Sequence, residues 1–212
     1  MKQLKVYAMP VGEIGANCYF CVNEQTNEVF CVDTGAQGDK ICQFIKDNGW
    51  TLRGIFLTHG HADHIGAIPY IKTQMNVEVY AGKEEVEVLE KPELNLTTMF
   101  GETLRLQADR VLEDGEEVSV AGFVITAIAT PGHTKGGMCY AIKEEGVVFT
   151  GDTLFRQSIG RTDFPTGNFA TLETSIQQKL YTLEEDTVVY PGHDAKTSIA
   201  YEKQHNMFVR GN

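Results

Sequence analysis

The sequence lacks any apolar run approaching the roughly 18 residues that a membrane-spanning helix needs. Its start, Met1 to Pro10, has neither a long apolar core nor a small-residue cleavage site, so a cytoplasmic protein with no membrane partner is expected. Basic residues are scarce: 18 Lys plus Arg stand against 29 Asp plus Glu, a net charge of -11. A field of that sign repels polyanions and, with no evident basic arm, argues against nucleic acid as a partner. The five cysteines (Cys18, Cys21, Cys31, Cys42, Cys139) are an odd number in a chain large enough to need no staples, which argues against a disulfide framework. Cys18 and Cys21 form a C-x-x-C inside the strand-like run Asn17 to Val22. Pleating sends residues three apart to opposite faces, so buried structural thiols are expected. There is no linker, low-complexity tract, short-period repeat or evident Ser-His or Cys-His nucleophile motif. With 212 residues at 42% hydrophobic content the chain can bury a full core, and one layered α/β domain over residues 1–212 is expected.

What the chain does have is strand and helix patterning in two halves. Leu4 to Met9, Asn17 to Val22, Val29 to Val32, Gly54 to Leu57 and Val77 to Tyr80 read as strands. A helix capped by Asp39 and stopped at Asn48-Gly49 interrupts them, and another is predicted over Ile65 to Gln74 with Pro69 in its first turn. Lys83 to Glu90 and Asn95 to Phe100 read as exposed helical segments, the first with a solvated acidic face of Glu84, Glu85, Glu87 and Glu90. Strands follow at Val118 to Val120, Phe123 to Ala129, Met138 to Ile142, Val147 to Thr150 and Val188 to Tyr190, with helices at Phe169 to Leu180 and in the short tail, residues 196–212, at Ser198 to Phe208.

The densest chemistry lies in Phe56 to Gly66, F-L-T-H-G-H-A-D-H-I-G, where His59, His61, Asp63 and His64 fall within six positions after an apolar strand. Imidazole and carboxylate are donors that zinc prefers after thiolate. Of the other three histidines, His133 and His193 share a context, each following a predicted strand through Pro-Gly, and Asp152 ends its strand in the same manner. Seven candidate metal ligands at strand ends make coincidence a poor account. His205, in the tail helix, has no such context and reads as a packing or surface residue.

T-H-G-H-A-D-H, P-G-H-T, G-D-T-L-F and P-G-H-D, in that order and spacing from about Asn17 to His193, resemble the metallo-β-lactamase superfamily and, within it, the glyoxalase II-like hydrolases. The resemblance implies a four-layer αββα sandwich with two divalent metal ions at one edge, zinc first among the candidates and iron or manganese also compatible. It implies that His59, His61 and His133 hold the first ion, Asp63, His64 and His193 the second, and that Asp152 bridges them. Asp63 is also the candidate catalytic carboxylate. Asp33, in Asp33-Thr34-Gly35, matches a buried aspartate that supports the ligand loops, although a plain strand-end turn residue fits the sequence equally well. Arg161, in the loop Gly151 to Gly167, stands where the family keeps a basic residue for a substrate carboxylate.

The chemistry so implied is hydrolysis of a hydroxyacylglutathione-like thioester. A metal can lower the pKa of bound water from about 15.7 to about 7, so hydroxide is available without a separate base. A thiolate, with a conjugate pKa of about 8.5, leaves with little help. Full-length glyoxalase II carries a helical C-terminal domain for glutathione, whereas only about nineteen residues follow His193. The chain therefore resembles a short branch whose tail, Tyr201 to Asn206, packs near the site. Thr34 and Lys135 stand where prolines are usual. A rival within the fold is a persulfide dioxygenase with one iron on His59, His133 and Asp152, because Gly160 to Phe164 is also found there. A non-catalytic metal-binding module is a third reading, which the full set of ligands disfavours.

Overall fold

The computed structural model describes residues 3–211. The first sheet orders its strands as they occur in the chain: β1 (Leu4–Val11), β2 (Ala16–Asn23), β3 (Glu28–Val32), β4 (Thr51–Phe56), β5 (Val79–Gly82) and β6 (Arg110–Leu112). Short turns make the first three antiparallel. From β3 onward the pairing is parallel, because each return passes through a longer crossover. Those crossovers hold helices α1 (Gly38–Asp47), α2 (Ala62–Ile65), α3 (Ile68–Gln74) and α4 (Val86–Glu90). The second sheet takes β7 (Glu117–Val120), β8 (Phe123–Ala129), β9 (Met138–Ile142) and β10 (Val147–Gly151). A small hairpin, β11 (Leu154–Phe155) with β12 (Ser158–Ile159), and helix α5 (Phe169–Ser175) come next. The sheet is then completed by β13 (Val188–Pro191) and β14 (Thr197–Ser198), in the order β14-β13-β10-β9-β8-β7, and α6 (Ile199–His205) closes the chain.

The period-2 alternation of the central strands builds the layers. On β2, Cys18, Phe20 and Val22 face α1 and α3 together with Ile41, Ile45, Ile68 and Ile71. Tyr19 and Cys21, on the other face, join Phe30 and Phe56 against Ile125, Tyr140, Ile142 and Phe149 of the second sheet. On β9 the pattern repeats outward, where Cys139 and Ala141 pack with Leu172, Ile176, Leu180 and Ile199. Three apolar layers between four layers of structure give the αββα sandwich. Burying each large side chain contributes roughly 1.5–3 kcal/mol, so the inter-sheet aromatics are a main source of stability. Cys18 and Cys21 do point to opposite faces, and all five cysteines are buried and free. Among the described residues no helix is long and apolar enough to cross a membrane.

Several local expectations are corrected. Helix α1 starts from Gln37 in the left-handed region, without a side-chain cap, and Asp39 sits in its first turn. The helix expected from Ile65 begins at Ala62 and breaks at Gly66 before α3 resumes. The terminal helix is shorter than expected and is capped by Ser198, whose side chain accepts from the Tyr201 amide. Glu85 and Asn95, expected on exposed segments, are fully buried. Asn95 is drawn in because its amide donates to the Leu89 and Leu104 carbonyls while its Oδ1 accepts from Thr97.

Candidate metal centre

The C-terminal ends of β3, β4, β8, β10 and β13 converge on one edge, and the loop after each carries a polar side chain to it. Cross-links between the sheets hold this edge together. The Asn17 amide donates to the Gly192 carbonyl at 2.7 Å, the Met138 amide to Thr58 at 2.7 Å, and the Tyr140 hydroxyl to Leu57 at 2.7 Å. Helix α2 comes in against the Asp33-Thr34-Gly35 loop, and only glycine allows the approach. A Cβ on Gly35 would lie 1.6 Å from the Asp63 carbonyl oxygen, and one on Gly66 2.5 Å from that of Gly35.

His59, His61 and His133 gather in one group, and Asp63, His64 and His193 in another. A third group, His59, His64 and Asp152, takes a member from each and places Asp152 between them, with the donor atoms of each group within 4.8 Å of one another. The structure thus brings all seven sequence-predicted residues together. Asp33 adopts a left-handed backbone (φ 56) at the end of β3, a conformation Asp tolerates better than most residues. Its carboxylate accepts from the Thr58 amide (2.8 Å), the Thr58 hydroxyl (2.7 Å) and His64 Nδ1 (3.0 Å). Asp33 is therefore both a turn residue and a buried support. Thr58 Oγ1 lies 3.1 Å from His59 Nδ1, and the Arg161 carbonyl lies 2.7 Å from His133 Nδ1. With Nδ1 of His59, His64 and His133 so engaged, a neutral ring presents Nε2 as its lone pair.

The donor atoms fit a divalent ion. His59 Nε2, His61 Nε2, His64 Nε2 and Asp152 Oδ1 are buried without a hydrogen-bond partner, an arrangement that is costly unless a cation accounts for it. His64 Nε2 comes within 3.2 Å of Asp63 Oδ2, but in an orientation that forms no hydrogen bond. Charge divides along the same line. Burial, then His133, holds His61 down at about 3, and burial with its ring neighbours His64 and His133 keeps His59 well below the usual imidazole range. Burial also opposes charge on His64 and His193, but there the surrounding carboxylates win and raise both. Burial pushes Asp63 up, and His64 and His193 outweigh it and lower it.

A family model described as the metallo-beta-lactamase superfamily matches residues 11–193, a span that includes all seven of these side chains. The chain belongs to the metallo-β-lactamase superfamily. It is 39% identical to the probable metallo-hydrolase YqgX of Bacillus subtilis over 98% of this chain and 99% of that one. It is 33% identical to the hydroxyacylglutathione hydrolase GloC of Haemophilus influenzae, over 97% and 98%. Among solved structures, the B3 metallo-beta-lactamase BLEG-1 superposes with a TM-score of 0.92 at 34% identity, covering 98% of this chain and all of that one. For a metallo-β-lactamase fold, the His/Asp cluster implies bound divalent metal ions.

Two features of this superfamily member escape sequence reasoning. Glu85, in the turn Lys83–Glu85 that leads into α4, aims its carboxylate at the ligand loops. Oε1 accepts from the Gly60 amide (2.7 Å), and Oε2 from the Thr134 hydroxyl (2.9 Å) and the Gly136 amide (3.0 Å). Burial pushes it up to about 7 against the pull of these bonds. A signal was present: in the acidic run, Glu85 stands three and four residues before the buried Val88 and Leu89, on their helical face. The second feature is the backbone carbonyl of Arg161, which lies against His133 Nδ1. The guanidinium is exposed, paired in a fork with Asp163 (2.7 Å twice), and lies 3.8 Å from the Phe164 ring centroid. That ring is in turn 5.9 Å from His61. The tail reaches the site indirectly. Buried Glu202 accepts from the Gln157 amide at 2.8 Å in the β11–β12 turn, and Phe155 of that hairpin lies 6.0 Å from the His193 ring. His205 stays outside, exposed against Tyr201.

Proposed function

We propose that the protein is a metal-dependent hydrolase that cleaves thioesters of the hydroxyacylglutathione type. The observation that carries this reading is the pair of triads with Asp152 between them at one sheet edge, where His59 Nε2, His61 Nε2, His64 Nε2 and Asp152 Oδ1 are buried without a hydrogen-bond partner. We assign His59, His61 and His133 to one divalent ion, Asp63, His64 and His193 to a second, and Asp152 to both. Zinc is the first choice, and iron and manganese accept the same donors. Such ions supply hydroxide at neutral pH and polarise the carbonyl.

The chain's own residues do the rest. His133 is held in one tautomer by the Arg161 carbonyl and His64 by Asp33, so the ring nitrogens are oriented before substrate arrives. Asp63 is the carboxylate assigned to orient the attacking water. Water adds to the thioester carbonyl, the carbon–sulfur bond breaks, and the thiolate takes the electron pair, leaving an acid and a thiol. Arg161 keeps N–H donors beyond those spent on Asp163 and would receive a substrate carboxylate. A groove of about 670 Å3 beside Asp63, lined by Ile14, Met99 and Phe100, offers room for the acyl group. Similarity along nearly the whole chain to a hydroxyacylglutathione hydrolase supports the thioester, and the net charge of -11 suits a small substrate better than a polyanion.

A second reading, hydrolysis of a β-lactam at the same centre, is favoured by the likeness to a B3 metallo-beta-lactamase. Purified, metal-replete protein assayed in parallel on S-lactoylglutathione and a chromogenic cephalosporin separates the two. The expected result is thiol release that stops on chelation, with far slower β-lactam opening. Faster turnover of the cephalosporin would reverse the order. Oxygen uptake with glutathione persulfide, one iron per chain and no thioester cleavage would replace the hydrolase by a dioxygenase.

A further inference from the structure

Two buried carboxylates stand behind the centre, and they are not equivalent. Asp33 bonds His64 directly and reaches His59 only through Thr58. Glu85 touches no ring. It bonds the amide between His59 and His61 and, on the other side, the two residues Thr134 and Gly136 that follow His133. Its three partners all lie in the loops that carry the first triad, and none lies beside Asp63, His64 or His193. The close fit belongs to the same arrangement, since a Cβ on Gly136 would lie 2.1 Å from the Glu85 amide nitrogen and one on Gly60 3.0 Å from Val88. The turn before α4 is thus a wall on which two ligand loops, far apart in sequence, are clamped by a single side chain.

We propose that Glu85 is the positioning residue of the His59, His61 and His133 site, setting the affinity of the first metal and leaving the second to Asp33. This rests on the two-metal reading given above. Partners that orient metal ligands are worth about 10–100-fold in metal affinity when lost. Two backbone N–H donors and a hydroxyl converge on one carboxylate, so a glutamine cannot replace it: its NH2 group would face a donor on one side or the other.

The test is cobalt(II) titration of the full chain, read by visible absorption, in two backgrounds. His193→Ala leaves the first triad intact and His61→Ala leaves the second. Wild type should take up two ions. Adding Glu85→Gln should weaken cobalt binding about 10–100-fold in the His193→Ala background and change it less than about threefold in the His61→Ala background. Thr134→Val, which removes only the hydroxyl donor, should show the same site preference on a smaller scale and serves if Glu85→Gln does not fold. Equal weakening in both backgrounds, together with a lower melting temperature of the metal-free chain, would make Glu85 an ordinary buttress and overturn the assignment. A wild type that binds no cobalt would fail the two-metal reading, and this proposal with it.

Discussion

The two triads differ in almost every physical respect although they sit side by side. The first is three buried imidazoles, His59, His61 and His133, each less than 5% exposed. No carboxylate belongs to it, and burial and mutual repulsion keep His59 and His61 neutral, so their lone pairs are available to a cation. The second contains its own carboxylate, Asp63, and opens to solvent at His193, whose side chain is 23% exposed. There the acid residues stabilise charge on the rings, and a proton competes with any metal. A neutral, enclosed set of nitrogens next to a charged, more open mixed set is an arrangement in which one ion can be held firmly and the other exchanged more readily.

The harshest way to break this comparison is to remove one triad at a time. His59→Ala takes a member from the first triad and from the group containing Asp152, so hydrolysis should fall to the uncatalysed background. His193→Ala removes only the most exposed member of the second and should leave measurable turnover. Elemental analysis beside the thioester assay checks both, and equal residual activities would dissolve the distinction. Gly35→Ala attacks the second triad through packing. The new Cβ would overlap the Asp63 carbonyl oxygen at 1.6 Å, so α2 must shift. Overpacking of this kind costs about 1–3 kcal/mol, which urea unfolding of the metal-free chain would reveal. An unchanged midpoint would mean that α2 moves freely and does not hold Asp63 in place.

How much of this was readable beforehand follows the same division. Four candidate ligands within six residues cannot be mistaken for a packing pattern, and the Pro-Gly turns before His133 and His193 announce themselves locally. Strand and helix patterning in two halves was enough to give one layered α/β domain. The αββα sandwich came instead from the resemblance to the superfamily, because β2 and β9 are buried on both faces and show no polar alternation. The start of α2 was hidden because His64 occupies a fully buried helical position that an apolar residue normally marks. Glu85 was hidden because an acidic residue in an acidic run looks solvated until the loops it bonds are in place. The Arg161 carbonyl could not be read at all, since a backbone acceptor has no sequence signature.

Asp33→Asn sharpens the comparison at intermediate size. The amide can no longer accept from Thr58 and His64 together, so metal affinity should fall by about 10–100-fold at the second triad. The first triad, linked to Asp33 only through Thr58 and His59, should lose less. Isothermal titration with zinc in the His193→Ala and His61→Ala backgrounds measures each separately. A larger loss at the first triad would invert the roles given to Asp33 and Glu85.

The smallest effect is expected beside the first triad, at Arg161. Truncation to alanine removes an exposed guanidinium whose pairing with exposed Asp163 is screened by solvent, so stability should barely move. The carbonyl that orients His133 is backbone and survives, so metal content and kcat should also hold. Under the proposed function, what is lost is a charge-assisted contact to a substrate carboxylate in water-exposed surroundings, worth about tenfold in binding. KM for S-lactoylglutathione should therefore rise about tenfold at constant kcat, the mark of binding shared by ground and transition states. A thioester without a carboxylate should show no change. A fall in kcat for both substrates would instead place the Arg161 side chain in the support of His133.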